Sequence, residues 1–383
     1  MNYSKANHRY TNGPCPDPYR LLKKYTGITI LQRINTIPEG LLDCSPEELI
    51  TIVPDTTLIE LEGRNKTPLF LSVLLHGNEP TGLVVAQNIL RQYQQSGLPR
   101  SILLFIGNVK AASQGRRRLD DQPDYNRIWL ESRVKHESGI HLEIAALLHE
   151  LARRPLFASI DIHNNTGINP HYACINRLDA QFLNLARQFS RTVIYFVQPG
   201  GVQSKAFAHL CPSVTLECGK VGDEFGIQRA TTFVDEILNL DTIPDTEVND
   251  DDIDLFHTLA VVKVPDEVTL SFDDSDTDIR FIPGMETLNF EEIPAGTTLA
   301  RIRENVEHPL LVMNETGEKI TGDVFDVSNG ELVNIKPLMP SMLTLDEKVI
   351  RQDCLCYVME RYQIAMGEKF TDDDRPVWVE NDE

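Results

Sequence analysis

The 383-residue chain has no apolar run approaching the ~20 residues that a membrane-spanning helix requires. Its opening stretch, MNYSKANHRYTNGPCPDPYR, lacks the apolar centre of a signal peptide, so neither export nor membrane anchoring is expected and the cytoplasm is the expected location. Seven cysteines, at 15, 44, 174, 211, 218, 354 and 356, are odd in number, scattered, and free of any C-x-x-C pair. A zinc ribbon and a disulfide framework are therefore unsupported, and reduced thiols are expected. Basic charge is scarce: 36 Lys and Arg stand against 57 Asp and Glu, a formal net charge of -21. Such a surface repels nucleic acid and anionic membrane at long range, and neither is expected as a partner. No G-x-S-x-G elbow, P-loop or G-x-G-x-x-G fingerprint occurs, which leaves serine-hydrolase, NTPase and Rossmann readings without their main support.

What is present is an ordinary globular composition, 41% hydrophobic and 24% charged, on a chain longer than one usual domain. From about residue 58 to 240, apolar β-rich runs alternate with helical patterns. LFLSVLL (69–75), SILLFIGN (101–108), LFASIDIH (156–163), TVIYFV (192–197) and SVTLECG (213–219) read as strands, while HLEIAALLHELARR (141–154), AQFLNLARQFSR (180–191) and QRATTFVDEILNL (228–240) read as helices. Continuous apolar strands separated by helices predict an α/β fold with a mixed sheet covered by helices, in which ligands gather beyond the carboxyl ends of the strands. The acidic stretch DTIPDTEVNDDDID (241–254) reads as a surface linker. Past it, short alternating segments broken by PG, AG, TG and NG predict a smaller C-terminal all-β domain. The expected divisions are an N-terminal extension packing on the catalytic domain (1–57), a catalytic domain (58–245), a β domain (255–370) and an acidic tail (371–383).

Three of the expected strands end in residues able to bind metal or move protons: His76 and Glu79 in LSVLLHGNE, His163 in ASIDIHNNTG, and Glu217 in SVTLECG. A mononuclear catalytic zinc takes three protein ligands and leaves one position open, and two histidines with a carboxylate form such a set. His76 and Glu79, three residues apart at a strand-to-helix turn, converge on one ion while His163 arrives from another strand, which leaves Glu217 free as a base. Rival arrangements fail on spacing: HELAR (149–153) has Arg153 where H-E-x-x-H needs its second histidine, and the histidines of HESGIH (136–141) fall on different faces of a helix. The loop SQGRRRLDDQPDYNRIW (113–129) supplies positive charge through Arg116, Arg117, Arg118 and Arg127.

With these residues in hand, the chain resembles the succinylglutamate desuccinylase and aspartoacylase family of the zinc carboxypeptidase superfamily over about residues 58–240. HGNEPTG resembles its H-G-N-E metal motif, YNRIW its substrate motif, DIHNNTG its third-ligand motif, and TLECG its catalytic-glutamate segment. The resemblance implies one zinc per chain held by His76, Glu79 and His163, with Glu217 as general acid/base. It also implies that Arg118 polarises the carbonyl and that Asn126 and Arg127 grip a substrate carboxylate. Arg118 stands one residue further from Asn126 than the pattern has it, so Arg116 and Arg117 remain alternatives. Phe207 and Lys205 stand where aspartoacylase has an aspartate-reading arginine, which predicts that N-acetylaspartate is a poor substrate. The expected activity is zinc-dependent hydrolysis of a linear amide in an acyl amino acid bearing a free carboxylate. A metallocarboxypeptidase acting on short or unusual peptides and a zinc-binding protein without turnover are the alternatives.

Overall fold

The computed structural model describes residues 31–129 and 139–364. Its first half contains β1 (Gln32–Ile34), β2 (Thr57–Leu61), β3 (Gly63–Val73), β4 (Leu98–Ile106), β5 (Ala158–Asn165), β6 (Tyr172–Ile175), β7 (Thr192–Tyr195) and β8 (Ser213–Lys220). The helices among them are α1 (Thr81–Gln92), α2 (Val109–Ala112), α3 (Ile140–Leu151), α4 (Ala180–Phe189), α5 (Gln203–Phe207) and α6 (Glu224–Asn239). β9 (Asp254–Lys263) opens the remainder, followed by β10 (Leu270–Ser271), β11 (Ile279–Phe281), β12 (Thr298–Ile302), β13 (Leu311–Asn314), α7 (Thr321–Val324), β14 (Phe325–Ser328), β15 (Glu331–Asn334), β16 (Met339–Ser341), α8 (Glu347–Gln352) and β17 (Cys356–Arg361).

Among the described residues one sheet of 12 strands runs in the order β1-β2-β4-β3-β5-β8-β6-β7-β9-β17-β16, with β13 paired to β9. Its centre, β4-β3-β5-β8, is parallel; β6 runs antiparallel to β8, and β17 antiparallel to β9. The fold is thus α/β with a mixed sheet, and a separate five-stranded sheet of order β10-β11-β12-β15-β14 follows at the C-terminal end.

Side chains alternate across a strand, and in β3 and β4 both sets are apolar. Leu69, Leu71, Val73, Ile102, Leu104 and Ile106 meet α1, α4 and α6 on one face, while Phe70, Leu103 and Phe105 meet α3, α5 and Trp129 on the other. A strand buried on both sides has no polar alternation, which is why these runs read as continuous apolar sequence. On the second face the chemistry changes along the strands. It is aromatic near Phe70 and Phe105, and turns polar toward the carboxyl ends with Ser72, Asp161, His163, Thr215 and Glu217, all buried.

The stretch 241–254 differs from its expected linker character. Ile243, Val248 and Ile253 are 5%, 2% and 2% exposed and join the main core, because three spaced apolar side chains suffice to dock a chain whose charged residues face water. It leads directly into β9, which pairs in parallel with β7, so strands after residue 254 hydrogen-bond into the same sheet as those before it. The NG signal marks a real hairpin: Asn329 (φ 52°) and Gly330 (φ 76°) join β14 to β15 in the left-handed conformation that a two-residue turn of the I′ kind demands. The acidic tail at 371–383 lies outside the described residues.

Candidate active site

The site is assembled where β3, β5 and β8 end. β5 and β8 lie in register with His163 opposite Glu217, so alternation alone sends both side chains to one face. β3 finishes at Val73, and Leu74, with φ 56°, turns the chain so that His76 and Glu79 reach the same edge. Gly77 is required there by close approach: a Cβ would stand 2.2 Å from the backbone nitrogen of Ala112. The N–H of Gly77 donates to the carbonyl of Arg117 at 3.1 Å, which ties the arginine loop to the histidine turn. On the far side, Asn164 of β5 accepts from the N–H of Thr81 at 3.1 Å and so caps the start of α1.

His76 Nδ1 lies 2.8 Å from Glu79 Oε1, and His163 Nδ1 lies 2.6 Å from Glu79 Oε2. Ligand atoms of these three buried residues all fall within 4.8 Å of one another, the arrangement a single metal ion would need. Both histidines turn their other nitrogen to a carboxylate, His76 Nε2 to Asp124 Oδ1 (3.2 Å) and His163 Nε2 to Asp161 Oδ2 (2.8 Å). Asp161, wholly buried, also accepts from Ser72 Oγ at 2.6 Å. Carboxylates behind metal-binding histidines fix the ring and its tautomer, so the donor set and its support fit zinc. Burial pushes the Glu79 carboxyl up, but the adjacent His76 and His163 outweigh it and hold the group well below the usual carboxylate range.

Glu217 is 4% exposed. The side-chain amide of Asn165 donates to its Oε2, and Tyr172 in turn donates to Asn165 Oδ1 at 3.3 Å. Burial drives the Glu217 carboxyl up to about 8; the charge of His163 opposes this, and Glu79 and Asp161 reinforce it. Asn126 holds its place through three contacts: Oδ1 accepts from the N–H of Gln203 at 2.9 Å, its own N–H donates to Asp124 at 2.8 Å, and Nδ2 stands 3.4 Å from His163 Nε2.

Of the three adjacent arginines, the structure brings Arg117 to the cavity and turns Arg118 away. Arg118 Nη1 donates to the Gln122 carbonyl at 3.2 Å within its own loop, and Arg116 pairs with Asp120 at the surface. The backbone bond from Gly77 to Arg117 anchors position 117, not 118, against the histidine turn. Arg117 Nη2 reaches Asp124 (3.0 Å) and Asp353 (3.1 Å), with Nη1 3.8 Å from Glu79. Arg127 donates to the Asn126 carbonyl at 2.8 Å and to Asp353 at 2.9 Å. Phe207 and Lys205 stay out of the cavity: Phe207 packs 4.3 Å from the Phe70 ring in the core, and Lys205 Nζ donates to the Val197 carbonyl.

Residues 66–241 match the family model of the succinylglutamate desuccinylase/aspartoacylase catalytic domain. That segment, a little under half of the chain, is similar to that family's catalytic domain. Among solved structures, a succinylglutamate desuccinylase from Vibrio parahaemolyticus superposes with a TM-score of 0.54 at 13% identity, covering 84% of this chain and 96% of its own. Murine aminoacylase 3 superposes at 0.51 with 15% identity (78% and 97% covered), and a succinylglutamate desuccinylase/aspartoacylase from Rhodobacter sphaeroides at 0.52 with 15% identity (79% and 88%). At these identities the likeness is one of fold. No curated relative matches the chain in sequence.

Two further residues of the site lie outside the four motifs. Asp124 touches His76, Arg117 and Asn126 together, and the signal for it was its place two residues before Asn126 in the same loop. Asp353, just after α8, sits between Arg117 and Arg127, and no local pattern marked it. Among the described residues, no helix is long and apolar enough to cross a membrane.

Proposed function

We propose that the chain is a zinc-dependent amide hydrolase that deacylates an N-acyl amino acid bearing a free carboxylate. The observation that carries this reading is the convergence, from three strand ends, of a two-histidine, one-carboxylate ligand set on a buried glutamate whose carboxyl is raised to about 8. Zinc held by His76, Glu79 and His163 supplies an acidified water and a polarised carbonyl.

The chain's own residues do the rest. Glu217, with Oε2 engaged by Asn165, offers Oε1 to take a proton from the attacking water and return it to the leaving amine, a role suited to a carboxyl tuned toward neutral pH. Arg117, rather than the expected Arg118, is placed to stabilise negative charge on the carbonyl oxygen, since its buried guanidinium lies beside the ligand set. Arg127 and Asn126 receive the substrate carboxylate at the cavity wall. Asp124 and Asp161 keep the histidines oriented. The described cysteines, at 44, 174, 211, 218, 354 and 356, are all free thiols, which suits a reducing compartment such as the cytoplasm.

A panel of N-acyl amino acids, their amidated forms and short peptides, assayed before and after chelation and zinc return, tests the reading. Zinc-restored release of free amino acid from the acylated acids is expected. Release of C-terminal residues from peptides in their place would move the activity to a carboxypeptidase, and no turnover of any member would leave a zinc-binding protein.

A further inference from the structure

Asp353 is bound as a ligand would be. One oxygen sits 2.9 Å from Arg127 Nη2 and the other 3.1 Å from Arg117 Nη2, so a single carboxylate is shared between two guanidinium groups at the cavity wall. It arrives from the C-terminal part of the chain, whereas both arginines belong to the loop that follows α2. The two arginines are not equivalent. Arg117 keeps a second carboxylate, Asp124, at 3.0 Å, while the other hydrogen bond of Arg127 among the described residues goes to a backbone carbonyl. A second cavity lies beyond this pair, lined by Arg127, Asp353 and Lys263 among others. The Asp353 side chain therefore has a second space beside it whose lining includes Lys263.

We propose that Arg117 and Arg127 form a carboxylate-binding fork that Asp353 fills as an internal ligand, and that a substrate carboxylate enters by taking Arg127 in exchange for it. The proposal deepens the hydrolase reading and rests on it for the identity of the incoming group. The exchange keeps Arg127 paired with a carboxylate, while Asp353 keeps Arg117 or moves toward Lys263 and the substrate's added negative charge is shared among these cations. It makes Asp353 a specificity-determining residue. A substrate must offer a carboxylate able to compete with an aspartate tethered at an effective concentration on the order of millimolar, and a neutral amide lacks the second acceptor oxygen that paired N–H···O bonds from the fork require.

The test uses acetate as the probe and the full chain, with and without zinc. Asp353→Ala removes the internal ligand, and its melting temperature is expected to fall because a buried and a partly buried cation lose a partner. Sodium acetate, compared with sodium chloride at equal ionic strength, is then expected to raise the melting temperature of Asp353→Ala by several degrees while moving the parent little. Adding Arg127→Ala to that variant is expected to abolish the acetate effect. Asp353→Asn, which keeps the shape, serves the same comparison where the alanine variant does not fold. In turnover, Asp353→Asn is expected to lower KM for a free acyl amino acid severalfold relative to its C-terminal amide. Identical responses of the variants to acetate and chloride, or a KM rising equally for acid and amide, would overturn the proposal and leave Asp353 a structural ion pair. Acetate stabilisation in a variant set without hydrolysis would instead uphold the fork and count against the hydrolase reading.

Discussion

Replacing Glu217 by glutamine removes one ionisable group from a buried position and leaves its shape, so its effect on stability is computable from the site. In the metal-free protein burial raises this carboxyl from 4.5 to about 8. Its neutral form is therefore the one that the fold favours. The stabilising contribution is fully present below the ordinary glutamate range, and it is lost as pH rises, since the unfolded chain releases the proton while the folded one retains it. The loss accumulates until the folded carboxyl itself ionises near 8, at ~1.4 kcal/mol per unit, which gives about 5 kcal/mol as a ceiling. Glutamine does not titrate, so Glu217→Gln should gain on the parent steadily from about pH 5 to about pH 8 and then level off. For a chain of this length that is on the order of 1 °C per kcal/mol, a gap of several degrees in paired thermal melts with chelator present. Added zinc should narrow the gap, because a nearby divalent cation favours the charged carboxylate. The same variant should retain zinc and lose hydrolysis by ~10² or more. Parallel pH profiles for variant and parent would refute the burial argument, and near-parent activity would remove Glu217 from the chemistry.

Purified protein should carry about one zinc per chain, the number one ligand set of this kind holds; metal analysis of His76→Ala and His163→Ala should show much lower occupancy, and full retention in both would sink the site. Arg117→Ala should cost ~10²-fold or more in kcat, as removal of an oxyanion donor does, while Arg118→Ala stays near the parent; the reverse ranking would restore Arg118. Arg127→Lys keeps the charge but loses the planar fork, so KM for a free acyl amino acid should rise with zinc content unchanged, and Arg127→Ala should be worse. N-acetylaspartate should be turned over poorly beside an acyl amino acid with an apolar side chain, because Ile194, Phe196 and Met342 line the cavity while Lys205 is engaged elsewhere; preferential turnover of N-acetylaspartate would show the cavity misassigned.

The legible and illegible parts of this site differ in what positions each side chain. His163 and Glu217 sit on parallel strands whose register and alternation dictate direction, and those strands announce themselves as apolar runs, so their convergence follows from local sequence plus one topological rule. His76 and Glu79 follow similarly from the end of β3, with Gly77 supplying the close approach that the turn needs. The arginine loop obeys no period. Which of Arg116, Arg117 and Arg118 faces inward is settled by a single backbone bond from Gly77 to the carbonyl of Arg117, a partner about forty residues distant that no count back from Asn126 contains. β6 escaped notice because four residues, YACI, carry too little pattern to separate strand from loop, although its antiparallel pairing brings Tyr172 opposite Glu217. Asp353 is the extreme case: its partners are 226 and 236 residues away, and an aspartate between a short helix and an apolar strand reads as an ordinary cap or surface charge. Strand ends thus fix the groups that we propose hold metal and move protons, whereas contacts between distant loops fix those proposed to read the substrate. Sequence pattern consequently reaches the chemistry of this chain before it reaches its specificity, and the charge shared by Arg117, Arg127 and Asp353 is where that specificity must be sought.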